Sequence, residues 1–498
     1  MSEKSVFDLV QKLTNRGVEL WPEREGLRYV ARGGVPSVDL LDEIRARKHD
    51  LTAALAKPSY SHRADASDRV RLPEHQLDWW NEVAANPVVA NGMHAALRIS
   101  GRRDPQALQA AMSRVFARHE LLRCRLHLHE GVPCITPQPS VPEILRVREA
   151  HGTDADIVER MIWRQFEGGA AFRSFLIERA EGVCIVGFVL HHFVADFCSC
   201  RILMRELLSA IRDPAGGTAI AGPASRYSDY LRGLNEWLAG PAPEYRLHYW
   251  RDAMRSAPAI RLDQDHDPGP AVIGPLTSTK LVIDRALRAR MAAMAASVEV
   301  TLLTVILAAK FVTLARLLGR TDLVLTPVLT GRDDPFLLNM VGNTVNCLPL
   351  RVSTTPDLTF AELLLRVHET QRLAYKHELP WRLLLRRIAE VGASWVSPTV
   401  NLIPGGHFRP RASAEAAVEG SGAFSAVVAH KPPEHGGMAW HTSHELHLFD
   451  SGQEMHGAVK YTPLRYRAGT MERFARTFVR CLECLTSSPQ LSIGEATE

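Results

Sequence analysis

One stretch, Val183 to Leu208, constrains the fold of this chain more than any other: VCIVGFVLHHFVADFCSCRILMRELL. Val183 to Leu190 is apolar throughout except for one glycine, and Gly182 bounds it. That is the pattern of a central strand covered on both faces. Two adjacent histidines, His191 and His192, interrupt the run, and Asp196 follows four residues after the second. Beyond it Ile202, Leu203, Leu207, Leu208 and Ile211 recur at helical spacing, with Arg201, Arg205 and Glu206 between them. The order is buried strand, polar loop, amphipathic helix. Such a loop presents polar side chains at the end of a rigid scaffold, where sites are built.

The histidines admit two readings, a satisfied core pair or a chemical site, and a spaced aspartate at the strand end favours the second. Neighbouring residues on an extended chain point to opposite faces, so His191 and His192 do not readily share one ion. No metal is expected.

The segment HHFVAD resembles the HHxxxD core of nonribosomal peptide synthetase condensation domains and their chloramphenicol acetyltransferase-like relatives. That motif continues with Gly, where this chain has Phe197. Further segments resemble the family in the same order. LPEHQLDWW keeps Gln76 but has Asp78 where an Arg is usual, and RHELLRCRL, from Arg118, has Cys124 in place of Thr. Arg173 fits the strand that leads to the histidines, and YSDYLRGLNEWL fits a structural helix. TPVLTGR, ending at Arg332, precedes VGNTVNCLPLR, then KHELPWRLLL with His377, Pro380 and Trp381 in register, then SPTVNL. The resemblance spans residues 71 to about 480.

It implies an α/β protein of two chloramphenicol acetyltransferase-like lobes in a V-shaped pseudo-dimer, residues 71–250 and 251–498, with a tunnel between them reaching His192. A thioester donor is already activated, so the chemistry asks for proton handling rather than a nucleophile. An amine with pKa near ~8 is partly neutral in the cell, and a histidine near ~6.5 suits transfer of its proton. The resemblance puts that role on His192, gives His191 an orienting one, and turns Asp196 inward to pair with Arg332. Arg118, Glu120 and Arg123 read as a buried ion network, and Arg173 as structural support.

Composition fits that reading. A chain of 498 residues holds about three domains, and 46% hydrophobic with 23% charged residues is ordinary for a globular protein. A net charge of +4 without a basic run indicates no nucleic-acid partner. The start, MSEKSVFDLV, lacks a signal-peptide core, and Leu302 to Leu318, which carries Lys310 and Arg316, reads as a buried helix and not a membrane span. Eight scattered cysteines read as reduced thiols of a cytoplasmic protein. The pair Cys481 and Cys484 has no second pair to complete a zinc site.

Residues 1–57 read as a separate module, followed by a polar linker at 58–70. Val6, Val10 and Leu13 share a helical face, and VELWPEREGLRYVAR gives two short strands around a turn at Glu23 to Gly26. Ser37 is placed to cap a second helix whose apolar face is Leu40, Leu41, Ile44, Leu51 and Leu55. The pattern LxxRGVxLW, GLRYxA, LLxEIRxxK is similar to TubC-like docking domains. That resemblance implies capture of the C-terminal tail of an upstream synthetase by strand addition, with Arg28, Tyr29, Val30 and Arg32 as the candidate edge. The plain alternative is a solvated arginine face.

No adenylation signature and no phosphopantetheine attachment segment is found. The expectation is a free-standing, monomeric condensation enzyme that binds no cofactor and meets donor and acceptor on the phosphopantetheine arms of carrier proteins in trans. Phe197 either narrows the acceptor arm of the tunnel or turns into the core. Three alternatives stand beside this: ester formation or transfer to a diffusible amine or alcohol, a non-catalytic recruitment platform, and a coenzyme A-dependent acyltransferase.

Overall fold

The computed structural model describes residues 6, 8–10, 12–13, 16, 18–23, 26–31, 36–62, 69–77, 80–81, 92–101, 104–148, 151–162, 170–179, 182–213, 224–258, 262, 266, 277–388, 399–404, 424–426 and 444–497. The strand Cys184–His191 lies at the centre of a five-stranded sheet, antiparallel to Gly92–Ile99 on one side and Phe172–Glu178 on the other. Both faces are covered, which is why the strand is apolar throughout. Val186, Phe188 and Leu190 pack with the helices Pro105–Arg118 and Phe197–Arg212, while Ile185 and Val189 pack with Ile157 and Val158 of the helix Asp154–Ile162. The lone glycine of the run also has a packing reason. A Cβ at Gly187 would sit 2.2 Å from the Phe175 ring, so only glycine lets that ring cross the strand.

The second lobe is built on the strands Thr277–Ile283, Met455–Tyr461, Glu445–Asp450, Thr399–Pro404 and Asp322–Leu329, in that spatial order. The helix Leu302–Leu318 is buried without a break from Thr304 to Leu314, packed between the helices Phe360–Lys376 and Ala468–Ser487. Its all-round hydrophobicity is that of a core helix. Among the described residues no single helix is long and apolar enough to cross a membrane. Lys310, fully buried in it, donates to the Thr399 carbonyl at 2.8 Å, and burial holds its pKa well below the usual lysine value.

The lobes do not part at residue 250. The helix Ala242–Ala253 straddles that position, and its Leu247 and Trp250 lie in the second core. In the other direction, Phe424–Ala426 pairs with Gly92–Ile99 and so extends the first lobe's sheet. Apolar faces, not chain order, set the division.

The N-terminal residues form a hairpin, Val18–Glu23 with Gly26–Ala31, and two helices. The expected single helix breaks at Arg47 into Val38–Ala46 and Lys48–Leu55, and Ser37 makes no side-chain cap bond. Val6, Leu9, Val10, Leu13, Leu40 and Leu51 share a small core, which also takes in Tyr245 from the large body. Arg246 donates to the carbonyls of Ala54, Leu55 and Ala56, Trp237 donates to Ala56, and Glu19 pairs with Arg372 at 3.3 Å. The module is thus seated on the body, not merely tethered. Arg28, Tyr29 and Val30 are exposed on the hairpin, and Arg32 lies outside the described residues.

Candidate active site

The histidine strand ends in a tight turn. His191 N donates to Ala171 O at 2.9 Å as the last sheet bond, and the amides of Val194 and Ala195 fold back onto His191 O at 3.0 and 3.2 Å. Asp196 then caps the helix Phe197–Arg212, accepting from Ser199 N at 2.8 Å, while Ser199 Oγ accepts from Asp196 N. This Asp-x-x-Ser arrangement is a reciprocal capping box, which fixes where the helix starts.

The turn sets the two imidazoles in opposite tautomers. A carbonyl can only accept, so His192 Nδ1, 2.9 Å from Ala195 O, carries the proton and the neutral ring has its lone pair on Nε2. A backbone amide can only donate, so His191 Nδ1, 3.2 Å from Phe193 N, carries the lone pair instead. Burial, with His192 next to it, pushes the His191 pKa down to about 4 and keeps that ring neutral. His192 is half-buried, and Asn343 Nδ2 of the second lobe donates to its carbonyl at 3.1 Å.

Asp196 faces the other way. Arg332 Nη2 donates to its two oxygens at 2.9 and 3.0 Å, and Thr344 N and Oγ1 each approach Oδ2 at 3.3 Å. Arg332 Nη1 meets the carbonyls of Leu337 and Met340, and Nη2 meets Gly342 O at 2.9 Å. Ser199 Oγ bridges the seam, donating to Asp196 Oδ1 and lying 3.0 Å from both the amide and the carbonyl of Gly342. The segment reaches so close because Gly331, at φ 61°, turns in the left-handed region, and a Cβ there would strike Thr344 O.

Other residues singled out from sequence fall around this centre. Arg173 sits on the neighbouring strand in register with Val189. Arg118 pairs at 3.4 Å with Glu206, which His119 also contacts at 2.8 Å. Glu120 instead accepts from Ser228 N at 3.1 Å, and Arg123 donates to Gln138 O, so the expected Arg118–Glu120–Arg123 network is replaced by contacts to three different elements. Asp78 lies outside the described residues. Phe197 is the first residue of its helix, half-buried, and joins neither lobe's apolar core. Its φ is not in the left-handed region, so the backbone there does not require glycine. Ser199 and Asn343 were not singled out from sequence. The Asp-x-x-Ser spacing is a signal for the first, and the second lies in the family-like segment VGNTVNCLPLR.

A family profile described as Condensation domain matches residues 89–497. A probable non-canonical nonribosomal peptide synthetase, CymA, of Salinispora arenicola is 32% identical over 324 residues, which are 62% of this chain and 4% of that protein. The chain therefore spans a small part of the curated relative it matches. Among solved structures, the X-domain in complex with OxyB from teicoplanin biosynthesis superposes at TM-score 0.74, with 22% identity over 89% of this chain and 98% of that one. The condensation domain that mediates chain release from the enacyloxin polyketide synthase superposes at 0.68, with 19% identity over 97% of each chain. Those likenesses show the fold.

Proposed function

This chain belongs to the condensation-domain family, and we propose that it catalyses acyl transfer from a carrier-protein thioester to an amine, forming an amide. The observation that carries the reading is the His192 tautomer: Nδ1–H is committed to Ala195 O, so Nε2 can take a proton from the attacking amine. In the proposed step the amine nitrogen bonds to the thioester carbonyl carbon and its proton passes to Nε2. The C–S bond then breaks, and the departing sulfur takes that proton from Nε2 to leave as the thiol, which restores the neutral ring. His191, held neutral, adds no competing positive charge next to His192. Asp196, with both oxygens engaged, is a positioning residue that acts through the loop it caps.

The donor acyl group would arrive on a phosphopantetheine arm of a carrier protein, which makes that arm part of a substrate and not a resident cofactor. Exposed Tyr29 and Val30, with Arg28 beside them, support the N-terminal hairpin as a docking edge for the tail of an upstream synthetase. Transfer to a diffusible acceptor is the second reading. Its motivation is that a condensation domain of the same fold mediates chain release from the enacyloxin polyketide synthase.

Intact-protein mass spectrometry of loaded carrier proteins mixed with this chain tests the proposal. Loss of the acyl mass from the donor with its gain on the acceptor carrier supports the first reading, and its appearance on an added free amine supports the second. An unchanged donor with every carrier and acceptor tried argues for a recruitment platform, and turnover of coenzyme A thioesters without carrier overturns the carrier requirement.

A further inference from the structure

A cavity of about 270 Å³ lies where three parts of the chain meet: the strap around Pro58 and Tyr60, the helix Tyr227–Leu238, and the second-lobe segments 331–346 and 375–382. His192 is not among its lining residues, although Asn343, which holds the His192 carbonyl, is. The strap is firmly laid. Tyr60 packs on Tyr230 with ring centres 5.2 Å apart and on Phe336 at 6.1 Å, and Lys57 pairs with Asp333 at 3.1 Å. Five aromatic rings face this space: Tyr60, Tyr230, Trp237, Tyr375 and Trp381.

The charged groups of the wall sort by what they already hold. Lys57 and Asp333 hold each other, and Asp334 accepts from Phe336 N at 2.7 Å. Arg246 directs its Nη groups at the carbonyls of Ala54, Leu55, Ala56 and Ala242. Arg382 lies over the Trp381 ring at 4.8 Å. Glu378, like Asp334, holds a hydrogen bond and, among the described residues, no ion pair. Its Oε1 takes one bond, from Asn346 Nδ2 at 2.8 Å, and among the described residues no lysine or arginine lies within ion-pair distance of it. Burial, with Asp333 nearby, holds its carboxyl above the usual range, although Lys57 and Arg246 of the same wall act against that shift.

We propose that this cavity binds a small organic ammonium ion, its charge paired with Glu378 and its apolar body laid against the aromatic walls. A half-buried carboxylate that no lysine or arginine pairs directly is costly, and a bound ammonium reduces that cost. The rings of Tyr60, Tyr230 and Tyr375 reinforce the same preference, because negative ring centres attract cations, while Trp237 and Trp381 already carry Arg246 and Arg382. The guanidinium of Arg246 is already directed at carbonyls and that of Arg382 lies over the Trp381 ring, so neither is aimed at an anion in the cavity. The volume lies just under the usual range of ligand sites, about 300 to 1,000 Å³, and so selects a compact ligand. The strap that forms one wall is the start of the linker after the N-terminal module.

The inference concerns a site apart from His192 and does not depend on acyl transfer. Its test is calorimetric titration of the full chain with phenethylammonium chloride, with 2-phenylethanol and phenylacetate as neutral and anionic matches. Saturable single-site binding of the ammonium, at least tenfold tighter than either match, is expected, with at least a tenfold loss in Glu378→Gln. Glutamine keeps an oxygen for Asn346, and a melting curve checks the fold. If that variant does not fold, Tyr375→Ala, which removes an exposed wall ring, should weaken binding at least threefold. No saturable heat, equal binding of 2-phenylethanol, or wild-type affinity in a folded variant would overturn the proposal.

Discussion

Arg332 donates to both carboxylate oxygens of Asp196, at 2.9 and 3.0 Å, and so ties the loop after the histidine strand of one lobe to the other lobe. Both side chains are buried, at 6% and 1% exposure. Removing one partner leaves the other charge uncompensated, which costs far more than the pair itself contributes. Asp196→Ala should therefore destabilise the chain by about 3–5 kcal/mol in urea unfolding. The Asp196→Ala/Arg332→Ala double variant should lose less than the sum of the singles, since neither charge is then orphaned. An Asp196→Ala protein that unfolds like wild type yet makes no product would place Asp196 in the chemistry.

His192→Ala removes the proposed proton acceptor from a half-buried position outside either apolar core. Amide formation should fall by ~10²–10⁴-fold while the melting temperature stays near wild type. Turnover on carrier-bound substrates at the wild-type rate would sink the mechanism.

Acid should unfold this protein early. Burial lowers His191 from 6.5 to about 4, and His75 and His377 from 6.5 to about 3. A histidine whose folded pKa is depressed takes up its proton more readily when unfolded, so stability is lost as pH falls below 6.5 and the loss levels off near the folded values. Each such histidine adds ~1.4 kcal/mol per pH unit to the slope in that window. The urea midpoint, followed from pH 7 to 4, should fall steeply, and less steeply in His377→Gln. A flat profile would mean these rings protonate in the folded state.

Deletion of residues 1–57 tests how the N-terminal module is joined. The sequence suggested a separable unit, but the cut removes the carbonyl partners of Arg246 and Trp237 and uncovers Tyr245. A lower melting temperature is expected in the truncated chain. Tyr29→Ser/Val30→Ser, on the exposed hairpin, should keep the melting temperature and weaken use of the upstream carrier only at low partner concentration. Equal loss at every concentration would remove the docking role.

Phe197 has an ordinary helical backbone and lies outside both cores, which leaves occupation of space as the consequence of its ring. Phe197→Gly should broaden the range of acceptors used. An unchanged acceptor range together with a lower melting temperature would rule out a narrowing role.

The sequence alone determined the parts governed by short-range periodicity. Seven apolar residues and one glycine followed by HHFVAD specify a doubly covered strand, a polar turn and an amphipathic helix, because burial pattern and capping act over a few residues. The order of the family-like segments gave the two lobes, and alternating apolar residues gave the hairpin of the N-terminal module. What the sequence left open depends on contacts between residues far apart in the chain. That Glu206, not Glu120, meets Arg118, that Ser199 and Asn343 bind across the seam, and that 424–426 joins the first lobe's sheet follow from how the lobes pack. Carbonyl, carboxylate and amide groups buried there must find partners wherever packing brings one near. Only the tertiary structure decides which partner that is, whereas the tautomer of His192 is set within its own turn, by Ala195 O three residues on.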